Sequence, residues 1–185
     1  MPASVIPFRM PAPAAVPEHV ARMLAELPVD QALLQGTDLL LQIGAAETAV
    51  CERVDGEGRV GLGAVVGARE AEVRAHLEAG HRYGGPLMGS GSLTEYVARA
   101  GSALLIMGTV GVGEAGLPAG LVASLLDGGE SADAGFVYVL PLVAEDGRIT
   151  GSLALLRSRA AGPLSHEQPH LAEALRRLLA QIAAG

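Results

Sequence analysis

The stretch FVYVLPLVAEDGRITGSLALL, Phe136 to Leu156, constrains the fold more than any other part of the chain. Two apolar runs flank one polar knot, Glu145-Asp146-Gly147-Arg148. Asp-Gly between strand-like runs signals a hairpin, because Gly accepts positive φ and Asp tolerates it. Val137, Val139, Val143 and Ile149 are β-branched and suit a pleated surface. Pro141 has no amide hydrogen for a ladder, so it belongs at a bulge or with its nitrogen facing off the sheet. A hairpin with one wet face alternates apolar and polar residues. These arms are apolar at nearly every position. The pair therefore reads as central strands of a sheet covered on both faces, and the cover must come from elsewhere in the chain.

The rest of the sequence supplies it. A chain of 185 residues fits one domain with a full core. Met1 to Pro17 is rich in Pro and Ala and reads as an irregular tail, followed by a single domain over 18–185. Glu18 to Leu27 and Val29 to Ile43 read as helices split by Pro28, the second with Val29, Leu33, Gly36, Leu40 and Ile43 on one face. Thr48 to Val54 and Val60 to Val66 read as strands about the turn Asp55 to Arg59. Ala68 to Ala79 reads as a helix with Val73 and Leu77 inward. Ser92-x-x-Glu95 is a capping box opening a helix through Ala100, and Ser102 to Gly108 is a further apolar strand. A helix is expected around Pro118 to Leu126. Ser165 with Gln168 forms a second capping box, ahead of a helix striped by Leu171, Ala174, Leu175, Leu178, Leu179 and Ile182. This order is α+β: one mainly antiparallel sheet, with the N- and C-terminal helices packed together on one face and the middle helices and loops on the other.

Composition narrows the function classes. The net charge of -7 argues against nucleic acid or anionic lipid, which need a basic face. No apolar run reaches the ~18 residues of a membrane span, and the N-terminus lacks the features of a signal peptide. The expectation is a cytoplasmic protein without nucleic-acid or membrane partners. One cysteine excludes an internal disulfide and a multi-cysteine zinc site. The sequence has no Lys, so it has no Schiff base and no P-loop lysine.

The words VYVLPLVAEDGRITGSLALL, then GPLSHEQ and an Ala/Leu-rich helix, resemble the C-terminal half of GAF domains. GSGSLTEYVARAGSALLIMG resembles the helix and strand in the middle of such domains. The resemblance covers roughly Val29 to Ala184 in element order. It implies a sensory or regulatory module of bacterial signal transduction, acting without catalysis. It also implies a small-molecule pocket between the sheet and its middle helices and loops. A homodimer through the terminal helices and a signalling partner protein are further expectations, and a dimerising module with a vestigial pocket is the alternative. The family's specific signatures are missing. A cyclic-nucleotide motif with Asn and Lys cannot exist here, no Cys lies where a bilin would attach, and reductases of this fold need several cysteines.

On that geometry the expected pocket residues are His81, Tyr83, Met88, Met107, Thr109, Leu121, Leu125, Tyr138 and Leu140. Core packing explains the aliphatic ones equally well. Tyr138 is the most informative, because a Tyr in so apolar a strand must find a partner for its hydroxyl or line a polar cavity. His81 also has the chemistry of an axial haem ligand, and a solvated loop is its plainer reading. No His pair has metal-ligand spacing with a carboxylate, and the ligand or cofactor remains unnamed. Gly111 to Gly116, GVGEAG, matches G-x-G-x-x-G after a strand. That signal would make the chain a nicotinamide-dependent oxidoreductase. Against it, the motif starts late after the strand, and the C-terminal half supplies no further strand–helix repeats. Cys51 reads as a buried, inert thiol.

Overall fold

A computed structural model describes residues 4–107 and 135–185. Among the described residues six strands form one sheet in the order β1-β4-β5-β6-β2-β3, with every neighbouring pair antiparallel. They are β1 (Ser4–Phe8), β2 (Thr48–Val54), β3 (Val60–Gly67), β4 (Ala103–Met107), β5 (Phe136–Val143) and β6 (Ile149–Arg157). The helices among the described residues are α1 (Glu18–Ala25), α2 (Val29–Gly44), α3 (Glu70–Gly80), α4 (Leu93–Ala100) and α5 (Gln168–Ala184). The expected helix around Pro118 to Leu126 lies outside the described residues.

The apolar hairpin occupies the middle of the sheet, as its sequence demands. Its two faces carry separate cores. Tyr138, Leu140, Leu142, Leu153 and Leu155 pack with Leu33, Leu40, Leu175 and Leu179 of α2 and α5. Val137, Val139, Ala154 and Leu156 pack with Val73 and Leu77 of α3 and Leu93 and Val97 of α4. Pro141 lies beyond the pairing of β4, which ends at Leu104 opposite Val139. The Pro141 carbonyl accepts a hydrogen bond from Arg176 Nη1 of α5 at 2.6 Å. The ladder shifts register just after it, between Leu142 and Val143.

The helices of the first face meet closely. A Cβ on Gly36 of α2 would lie 2.4 Å from Leu179 Cδ2 of α5, so a larger residue there would force the Leu179 side chain to shift. Leu175 and Leu179 are therefore buried within the chain, and Leu178 and Ile182 pack against the same core. Of the leucine stripe expected to serve a partner chain, Leu171 is the one left exposed.

The N-terminal segment departs from expectation. Ser4 to Phe8 is a strand paired with β4, from Ser4 opposite Met107 to Phe8 opposite Ala103. The domain therefore begins before residue 18. Without β1 the outer edge of β4 would be an unpaired row of amides and carbonyls. Pro7 is tolerated because an edge strand has a free side. Phe8 packs edge-on against Tyr138 at 5.3 Å between ring centroids. Beyond the strand, Ala14 N donates to His170 O at 3.0 Å.

Two glycines of the hairpin make predictions of different size. Gly147 closes the turn at φ 84° with Gly147 N donating to Ala144 O at 2.9 Å, and a Cβ there would meet nothing. Gly147→Val should destabilise by about 1 kcal/mol through backbone strain alone. A Cβ on Gly151 of β6 would lie 2.1 Å from Glu52 O. Gly151→Ala should cost more, because a ladder must move. Urea denaturation of both variants measures the order; an unaltered midpoint for Gly147→Val would refute the turn assignment.

Candidate functional site

The strand β2 reads Thr48-Ala49-Val50-Cys51-Glu52-Arg53-Val54. Its alternation places Ala49 and Cys51 toward α2 and α5, and Val50 toward α3 and α4. Glu52 shares the face of Val50. It stands in register with Ser152 of β6 and Leu62 of β3. A carboxylate thus enters an apolar layer, and none of its surface is exposed.

The donors around that carboxylate come from the segment between α3 and α4 and from the first turn of α4. Tyr83 Oη donates to Glu52 Oε1 at 2.7 Å, and His81 Nδ1 lies 3.2 Å from the same oxygen. His81 Nδ1 is also 2.9 Å from Tyr83 Oη. Thr94 donates to Oε2 twice, from its backbone amide at 2.8 Å and its hydroxyl at 2.9 Å. The Thr94 hydroxyl in turn contacts Ser152 Oγ at 2.8 Å. Thr94 is the second residue of α4, so Glu52 caps that helix from the sheet below. The negative charge sits at the positive end of the helix dipole. Burial pushes the Glu52 carboxyl up, but the bonds and charge of His81 with the Tyr83 and Thr94 bonds outweigh it and hold it below the usual carboxyl range. Burial beside the Glu52 charge drives the Tyr83 phenol far above its ordinary value, so Tyr83 is a permanent donor.

A second carboxylate secures the other end of the same loop. Ser92 Oγ accepts from Glu95 N at 3.1 Å, which is the first arm of the expected capping box. The Glu95 side chain does not return to Ser92. It accepts from Gly89 N at 3.0 Å and Gly91 N at 2.8 Å and pairs with Arg99. Burial raises the Glu95 carboxyl, and those two amides with Arg99 bring it below its ordinary value. The box at Ser165 forms its complementary arm: Ser165 N donates to Gln168 Oε1 at 2.7 Å, while the helix itself has no side-chain cap. Gly84 and Gly85 also bond the edge strand at Val60, at 2.8 and 3.0 Å.

One polar atom of the cluster has no partner. His81 Nε2 is buried and unbonded, on a side chain with no exposed surface. With Nδ1 held by Tyr83 and Glu52, the ring presents Nε2 alone.

The structure brings together His81 and Tyr83 of the expected pocket residues. Met88 lies on the same loop but is 57% exposed. Tyr138 and Leu140 are corrections: they belong to the α2/α5 face. The β5 alternation sends Val137 and Val139 to the α3/α4 face instead. Tyr138 satisfies its hydroxyl there by accepting from Leu164 N at 3.0 Å. Met107 is likewise corrected, since it alternates with Ala103 and Leu105 on that face. Thr109, Leu121, Leu125 and the Gly111 to Gly116 motif lie outside the described residues. Cys51 is buried on the α2/α5 face, and burial pushes its thiol up to about 12. Among the described residues no group of three or more His, Cys, Asp or Glu could hold a metal ion. No helix among them is long and apolar enough to cross a membrane.

The sequence reading missed Glu52, Thr94 and Ser152. Glu52 was legible in principle, because period-2 alternation puts it on the face of Val50. Glu52→Ala should cost about 3–5 kcal/mol, since the donors around it stay buried without an acceptor. The pH dependence has a defined sign. The folded carboxyl lies below the ordinary 4.5, so its contribution is present above that value and lost as pH falls through the folded one. The stability difference between wild type and Glu52→Gln should hold at neutral pH and shrink below about pH 4.5. Denaturant titrations from pH 7 to 3 measure it; a difference that grows on acidification would contradict the assignment.

No family model matches the sequence, and no curated protein matches it. Solved structures do. The GAF domain/HD domain protein from Geobacter sulfurreducens is 15% identical over 86% of this chain and 94% of that one, with a TM-score of 0.62. A methyl-accepting chemotaxis protein, residues 122 to 287, is 13% identical over 87% and 92%, with a TM-score of 0.56. The free methionine-R-sulfoxide reductase from Neisseria meningitidis, solved with its substrate, is 14% identical over 89% and 84%, with a TM-score of 0.55. At such identities the likeness is one of fold, and by its fold this chain is a GAF-like domain.

Proposed function

We propose that this chain is a sensory or regulatory domain that binds a small molecule without transforming it, on the α3/α4 face of the sheet. The observation that carries the reading is His81 Nε2, a buried polar atom with no partner on a ring oriented by a buried carboxylate. A group that reaches this nitrogen gains a hydrogen bond and displaces none. Perturbed ionisable groups beneath a loop are the usual mark of a functional site. The loop above is glycine-rich, with Gly84, Gly89 and Gly91 at positive φ, and it is fastened at both ends by carboxylates. Ligand entry would loosen those fastenings and so reach α4, whose first turn Glu52 caps.

The same fold occurs in a chemotaxis protein and in a reductase, so fold alone does not choose between sensing and catalysis. The residues favour sensing. Cys51 is the sole cysteine, and its thiol stays protonated at neutral pH. Ser90 and Ser92 are engaged with each other and with the start of α4.

Purified protein should retain a small molecule detectable by native mass spectrometry, or be stabilised by one from a metabolite panel. His81→Ala should abolish that binding while circular dichroism stays unchanged. NADH and NADPH should give no saturable signal. A panel without any stabilising compound, on protein that carries none, would count against the reading. Saturable NADH binding lost on Gly113→Ala would replace it with the oxidoreductase reading.

A further inference from the structure

The neighbours of His81 decide where its ring carries hydrogen. Nδ1 has two partners, Tyr83 Oη at 2.9 Å and Glu52 Oε1 at 3.2 Å. Neither offers it a hydrogen. The Tyr83 hydroxyl has one, and donates it to Glu52 Oε1 at 2.7 Å. The Glu52 carboxylate is ionised and accepts at both oxygens. Nδ1 therefore carries a hydrogen, shared between the Tyr83 oxygen and the carboxylate. A neutral imidazole has one such hydrogen, so Nε2 is left as a lone pair. An imidazolium would instead bury a second N–H, and nothing lies beside Nε2 to accept it.

Two further features set what this nitrogen can receive. Both Thr94 donors lie on Glu52 Oε2, at 2.8 and 2.9 Å, which leaves Oε1 to His81 and Tyr83. Thr94 thus fixes which end of the carboxylate faces the ring. No arginine among the described residues pairs with Glu52, so with a neutral ring its charge is uncompensated. The imidazole has no exposed surface, and a ligand gains the lone pair only as the loop from His81 to Ser92 lifts. A donor then meets an acceptor made more basic by the carboxylate on its other nitrogen. An anion meets a lone pair above a buried negative charge.

We infer that the His81 site selects a ligand presenting a hydrogen-bond donor, an amide, amidine or amine N–H of neutral or positive charge, and rejects carboxylates and phosphates. Glu52 and Tyr83 are the positioning residues that set this polarity. The inference rests on the binding reading proposed above and adds the polarity of the ligand to it.

The hydrogen is located on the ligand-free whole chain, from the 15N shifts of the histidine rings at neutral pH, with the His81 signals assigned by their loss in His81→Ala. His81 should show a protonated Nδ1 and a bare Nε2. In Glu52→Gln, the two Thr94 donors hold the amide oxygen in the place of Oε2, which turns the NH2 group toward Nδ1. The ring hydrogen should then move to Nε2. Acetate, acetamide and acetamidinium share one shape and differ in donors and charge, and each is titrated against the Nε2 signal. Acetamide and acetamidinium should shift it saturably, at least about tenfold more tightly than acetate. Glu52→Gln should reverse that preference. A protonated Nε2 in the wild type overturns the inference and leaves the binding reading standing, as does acetate binding as tightly as acetamide. A ring that keeps its hydrogen on Nδ1 in Glu52→Gln overturns the role of Glu52. A bare Nε2 that none of these molecules reaches overturns the binding reading, and the ligand class with it.

Discussion

The structure depends on a hairpin that cannot meet water on either side. Both arms of β5 and β6 are apolar toward both faces, and almost every residue of β6 is buried. Burial of apolar area at roughly 25 cal/mol per Å² makes an uncovered face untenable. One face is closed by α2 and α5, which meet closely where Gly36 faces Leu179. The other is closed by α3 and α4. The sheet order follows, with the hairpin central and the shorter pairs β1–β4 and β2–β3 added on either side.

The two covers differ in kind. The α2/α5 cover is aliphatic and direct. The α3/α4 cover includes a loop with a polar underside, and Glu52 is the group that makes it adhere. A lone buried carboxylate would be expelled or protonated. Here two oxygens receive bonds from Tyr83 and from two groups of Thr94, with His81 alongside. Such a cluster gains little over apolar packing in stability. Its effect is to place one imidazole nitrogen under a glycine-rich loop and to join loop, sheet and helix start through shared partners.

Much of the fold was legible in the residues. Asp146-Gly147 marked the turn, and Ser92 marked the start of α4. The leucine spacing marked α5, and the lack of alternation marked the central strands. The N-terminal strand was not legible, because its pairing with β4 joins segments almost a hundred residues apart and Pro7 speaks against a strand locally. The site was half legible. His81 and Tyr83 stood out as a polar pair between glycines. Tyr138 was expected at the pocket from the family's geometry and the strand's alternation, and sequence does not say whether its hydroxyl bonds a ligand or the Leu164 amide.

The sequence by itself determined the types of most described elements from residue 18 onward, the turn at Gly147, the two-sided cover of the hairpin and the absence of lysine chemistry. These follow from local propensity and periodicity, which act over a few residues. Only the tertiary structure decided that Glu52 would be buried and what it would hold. Its partners lie 31 residues away at Tyr83 and 42 residues away at Thr94. A carboxylate in a strand becomes a helix cap only when the sheet's register and the crossing of the α3–α4 loop bring those donors within 3 Å. The same alternation that turns Glu52 toward α4 turns Arg53 toward Asp30 of α2, and no local pattern says which of two adjacent charges will lose its water.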